Sequence, residues 1–67
     1  MQATEFSKLK MGDRFELSPV VVDGEIASVT FAKTSNHLAE CIEVHYRPFL
    51  VGKNYSFNPS TLVYKKE

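Results

Sequence analysis

Sixty-seven residues hold one small domain, 1–67, and eight basic side chains balance eight acidic ones. Both the basic excess of a dedicated duplex-DNA binder and the acidic excess of a DNA mimic are therefore missing. Cys41 is the only cysteine, which excludes an internal disulfide framework and points to a reducing cytoplasm.

No stretch approaches the ~18 apolar residues of a membrane span, and residues 1–5 lack a charged region leading into an apolar run. The expectation is a cytoplasmic protein without membrane attachment. A core of this size rarely supplies more than about 3–5 kcal/mol, so pairing into a homodimer is a candidate source of further stability.

Thr4 is placed to cap a short helical turn, with Phe6 and Leu9 on one face and Gly12 free to take a positive φ and end it. Phe15-Glu16-Leu17 alternates as a half-buried strand does, and Ser18-Pro19 stops it because proline cannot donate to a ladder. Val20-Val21-Val22 has strong β character, and Asp23-Gly24 is a two-residue hairpin signal. From Glu25 the pattern resumes, with Ala27, Val29 and Phe31 on one face, until Thr34-Ser35-Asn36 breaks it.

Residues 37–47 fit two readings. As a strand, Leu38, Ile42, Val44 and Tyr46 form an apolar face interrupted by Glu40. As a helix, Asn36 caps, Leu38, Cys41, Ile42 and His45 make the stripe, and Pro48 ends it. The β-branched and aromatic residues Ile42, Val44 and Tyr46 favour the strand, whereas Leu38, Ala39 and Glu40 favour the helix. Phe49 to Asn54 reads as a loop, and Tyr55-Ser56-Phe57 as a strand. Asn58-Pro59-Ser60-Thr61 is a turn whose proline presets φ, and Leu62 to Lys65 is the last strand.

Four or five short antiparallel strands after an N-terminal helical turn predict an all-β domain. An SH3-like, partly open barrel is the economical form, since closure hides edges that so short a chain cannot otherwise cover.

Three stretches carry a resemblance: Phe6-Ser7-Lys8-Leu9-Lys10-Met11-Gly12-Asp13-Arg14-Phe15, Phe31-Ala32-Lys33-Thr34-Ser35, and Phe57-Asn58-Pro59-Ser60-Thr61-Leu62-Val63. In this order they resemble a group of short, mostly uncharacterised phage-encoded proteins. Their outline is F-x-x-L-x-x-G-x-x-F, then an aromatic or valine before x-K-x-S, then F-x-P-x-x-x-V. The resemblance implies architecture and phage origin, with no agreed activity and no functional residues to carry over. The chain departs from that outline between Glu40 and Lys53, the segment where a particular function would sit.

No arrangement of residues favours catalysis. His37, Cys41 and His45 fall at i, i+4 and i+8, but on a strand that span is about 26 Å at ~3.3 Å per residue, too long for one metal ion. Cys41 and either histidine would be about 13 Å apart by the same measure, too far for a nucleophile–base pair. The three glycines stand singly in turns, so no phosphate-cradling loop is present. The expectation is a protein that is not an enzyme and uses no metal or cofactor.

Two surfaces remain. Tyr46, Arg47, Phe49, Leu50 and Lys53 combine hot-spot residue types with an apolar loop, which suits a protein partner. Arg47, Lys53 and Tyr55 interleave charge and aromatic rings, which suits stacking on single-stranded nucleic acid. The leading expectation is a phage-encoded accessory protein that occludes a host or phage protein in host takeover or anti-defence. The alternatives are a single-stranded nucleic-acid-binding barrel and a structural or assembly subunit.

Overall fold

The computed structural model describes residues 3–66, and over them the chain is all-β, in one curled, open half-barrel sheet. The strands are β1 (Ala3–Glu5), β2 (Arg14–Glu16), β3 (Val20–Val22), β4 (Glu25–Lys33), β5 (Leu38–His45), β6 (Asn54–Ser56) and β7 (Leu62–Lys65). They run in the order β1-β7-β2-β4-β5-β6, with β3 attached to β4. Seven strands stand where four or five were expected. The strand that went unread is β1, whose three residues are too few to leave a period-2 signal of their own.

β4 is the spine. Along one edge it pairs first with β3 (Val21 opposite Ile26) and then with β2 (Phe15 opposite Phe31). Along the other it pairs with β5, whose register begins at Ser28 opposite His45. Glu25, Ile26 and Ala27 therefore have β3 as their only partner strand, and the β3–β4 hairpin runs on past the end of β5. Its turn is the one Asp23-Gly24 predicts: φ is 50° at Asp23 and 80° at Gly24, left-handed at both central positions as a type I′ hairpin requires.

The alternation of β4 sends Ala27, Val29 and Phe31 inward, as expected, and the same period carries Lys33 inward too. Val29 and Phe31 meet Phe6, Leu9, Phe15, Ala39, Cys41 and Val63 in the core, with Leu17, Val44, Phe49, Tyr55 and Phe57 packed against them. Phe15 stacks on Phe31 at 5.5 Å, and Phe57 meets the Phe31 ring edge-on at 5.0 Å. Each buried phenylalanine contributes about 1.5–3 kcal/mol by burial, and each such pair about 0.5–1.5 more. Aromatic packing is therefore the main cohesion of the domain.

β5 is a strand, which settles the ambiguity at 37–47, but its inward face is not the expected one. Ala39 and Cys41 point into the core, while Leu38 and Ile42 are exposed. The register explains it: Thr30 faces Glu43 but Phe31 faces Cys41, leaving Ile42 as the extra residue of a β-bulge. The bulge shifts the parity by one and returns Val44 to the core side.

The expected N-terminal helical turn is a single 3-10 turn, Phe6–Lys8, and Thr4 does not cap it because Thr4 lies in β1. Glu5 precedes the turn in extended backbone with no side-chain cap. The orphan donors are met by tertiary contacts instead: Phe6 N–H donates to Thr61 O at 2.9 Å and Ser7 N–H to Pro59 O at 3.0 Å. Phe6 and Leu9 are both buried, as their spacing predicts.

Candidate functional site

The segment leaving β5 does not wander. Tyr46 takes a left-handed φ of 57°, which turns the chain off the strand axis and leaves its ring 63% exposed, edge-on to His45 at 4.9 Å. Arg47 folds back: Nη1 donates to Ser18 O at 3.3 Å, and the guanidinium lies 5.9 Å from the centre of the Phe49 ring. Phe49 points inward and packs edge-on against Phe31 at 5.4 Å and Tyr55 at 5.1 Å. It is the loop's anchor.

Past the anchor the chain makes a tight turn, Leu50-Val51-Gly52-Lys53, closed by Lys53 N–H to Leu50 O at 3.2 Å. Gly52 stands third with φ +89°, the position at which a type II turn requires a positive φ. The turn is lashed to the bulged strand by Gly52 N–H to Cys41 O at 2.8 Å and Cys41 N–H to Lys53 O at 3.0 Å. Leu50 N–H donates to Tyr55 Oη at 2.9 Å. The outcome is an apolar tip, with Leu50 65% and Val51 60% exposed, held by four hydrogen bonds and one half-buried ring.

The five residues expected to meet a protein partner thus divide. Tyr46, Leu50 and Lys53 are exposed, Arg47 is half-buried against Ser18 and Phe49, and Phe49 faces the core. Val51, which belongs to the same apolar run, joins the exposed set. The residues expected for nucleic acid are placed less favourably. Tyr55 is half-buried with Phe31 and Phe49 against it, its hydroxyl is engaged by Leu50, and Lys53 Nζ lies 5.8 Å from its ring centre.

Cys41 and His45 lie in β5 and His37 just before it, and among the described residues no three His, Cys, Asp or Glu side chains gather as metal ligands would. Cys41 is fully buried; burial pushes its thiol pKa above the ordinary 9.0, with the nearby Glu40 charge adding to the rise and the Glu43 carbonyl opposing it. A buried neutral thiol is a poor nucleophile. Among the described residues no helix is long and apolar enough to cross a membrane.

Two further features carry no site motif in the sequence. Lys33 is 4% exposed, and its Nζ donates to Phe6 O at 3.0 Å and Leu9 O at 2.8 Å while lying 4.6 Å over the Phe6 ring. Its parity with Ala27, Val29 and Phe31 was the available signal. The valines of β3 are all exposed, which no periodicity could announce, since three identical side chains have no apolar face. Comparison with family models, curated proteins and solved structures finds no match to this chain.

Proposed function

We propose that this chain is a non-catalytic binding module that docks on a protein partner through the tip at Tyr46, Leu50, Val51 and Lys53. One observation carries the reading: two large aliphatic side chains are displayed on a turn that is already fixed. Exposing Leu50 and Val51 side by side does nothing for the core. A preformed turn loses little conformational entropy on association, so its apolar surface converts more fully into affinity. Arg47 and Phe49 serve this surface from behind by holding the loop.

The mechanism is occlusion of the partner's surface, and the setting is that of a phage-encoded accessory protein in the bacterial cytoplasm. The setting rests on the resemblance of the three motif stretches and on the lone buried thiol. The sheet is read as an SH3-like, partly open barrel, a reading supported by the β2-β4-β5-β6 meander with β7 returned beside β2.

Affinity capture with tagged protein from bacterial lysate, run at low and high salt and with and without nuclease, tests the class of partner. The reading expects a protein that stays bound through nuclease digestion and added salt, because an apolar contact is weakly screened. Capture that vanishes with nuclease and falls steeply with salt would belong to phosphate contacts and would end the reading.

A further inference from the structure

We propose that the chain forms a two-fold dimer by adding the β3 strand of a second copy, antiparallel, to the free edge of its own β3. The β3 edge is distinct from the Leu50–Val51 tip, and Arg47, which touches both Ser18 O and the Phe49 ring, is the one residue the two share. Among the described residues three strands pair on one side only: β1, β6 and β3. Open edges invite pairing unless charge or polarity guards them. β1 carries Glu5, and β6 carries Asn54 and Ser56 with Lys53 just before it. β3 carries only valine.

The hairpin geometry aims the right groups outward. Val22 and Glu25 flank the two-residue turn, so they are a hydrogen-bonded pair, and Val21 opposite Ile26 is not. The N–H and C=O of Val21 therefore point away from β4 with no strand to meet. A second β3 centred on Val21 satisfies both groups twice over, in an isologous contact. Alternation puts Val21 and Ile26 on the same face of the ribbon. They are 73% and 64% exposed in the single chain. In the dimer the two Val21 side chains come opposite each other, flanked by the two Ile26 side chains, in one apolar cluster on a four-stranded ribbon.

Charge fixes the occupant as a second copy. The hairpin's tip is acidic, with Asp23 and Glu25, and its base is basic, with Arg47 bonded to Ser18 O at 3.3 Å. Among the described residues, none of the three has an opposite charge within ion-pair distance; the pairs present are Lys65–Asp13 and Lys66–Glu16. Antiparallel pairing centred on Val21 sets Val20 beside Val22 of the second copy and Pro19 beside its Asp23. Each acidic tip then lies at the other's Arg47 corner, twice by symmetry. Pro19 stands two residues from Val21, where it offers no N–H and ends the ladder, so the pairing is confined to Val20–Val22 of each copy.

Sedimentation equilibrium of the intact chain tests the dimer, at concentrations up to about 1 mM, where even a weak ordinary association is half formed. The expected result is a species of twice the 7.6 kDa chain mass, reduced to the single chain by Val21→Lys. Asp23→Asn keeps a residue that tolerates the left-handed turn and removes only the charge. It is expected to weaken the dimer about three- to tenfold and to flatten its salt dependence. Arg47→Gln should do the same, with the double variant no weaker than either. Mixed-isotope NMR of the unmodified chain should give contacts between Val20 and Val22 of different copies, a readout that needs no variant to fold. A single-chain mass up to the highest concentration overturns the proposal. So does a Val21→Lys variant that dimerises like the parent, or a dimer without intermolecular contacts at β3.

Discussion

Replacing Lys33 by methionine is the most informative test of how this small core is held. The side chain is buried and reaches the Phe6 ring and the Phe6 and Leu9 carbonyls, so methionine conserves most of the buried volume and the loss falls on the ammonium. Phe6 O keeps a donor in the variant, since Leu9 N–H also bonds it at 3.1 Å. Leu9 O loses the Nζ at 2.8 Å, its only donor among the described residues. A buried carbonyl left unpaired costs about 1–3 kcal/mol, and the contact with the Phe6 ring adds about 1–2. Releasing the dehydrated ammonium offsets part of this, leaving a net loss of about 2–3 kcal/mol. Total stability at ~0.05–0.15 kcal/mol per residue is only about 3–10 kcal/mol for this length. Urea titration should show a sharply lower midpoint, and melting should fall by about 10–20 °C. A midpoint within about 0.5 kcal/mol of the parent, the range of an ordinary surface change, would refute the assignment of Lys33 as the clamp between β4 and the 3-10 turn.

Phe49→Ala should cost about 2–3 kcal/mol in urea titration, less than a fully buried phenylalanine because the ring is half-buried, whereas Leu50→Ser should stay within about 0.5 kcal/mol of the parent. The buried thiol of Cys41 has its pKa raised, so the unfolded chain loses that proton at lower pH than the folded one. Its contribution is fully present below the unfolded thiol's pKa and is lost as pH rises through the folded value. Stability measured from neutral pH into the alkaline range should therefore fall, and Cys41→Ala should lessen that alkaline decline relative to its own neutral value.

Much of the frame was legible because local chemistry and tertiary structure agree there. Asp23-Gly24 dictates its hairpin, and Asn58 bonds the Ser60 backbone across the turn that Pro59 presets. The β4 face follows from period 2. What was hidden depends on contacts distant in sequence. The bulge at Ile42 exists because β5 must match β4, and nothing within 38–45 marks which residue is surplus. β1 is a strand only because β7 lies beside it. Thr4 has good capping chemistry, yet the backbone donors of the 3-10 turn are met by Pro59 and Thr61, so that chemistry goes unused. At the candidate site, the apolar run 49–51 was visible, but which way each ring points was set by Phe31 and Tyr55. Phe49 turned inward while Leu50 and Val51 turned out.

In the proposed reading the Leu50–Val51 tip serves a partner and not the fold. The measurement that tests it most directly is quantitative affinity capture of the parent and a Leu50→Ser, Val51→Ser variant, side by side from nuclease-treated bacterial lysate, with urea midpoints taken on the same preparations. Matching midpoints are expected, with a protein bound by the parent and lost by the variant. A bound protein retained equally by both, with the fold intact, would contradict it.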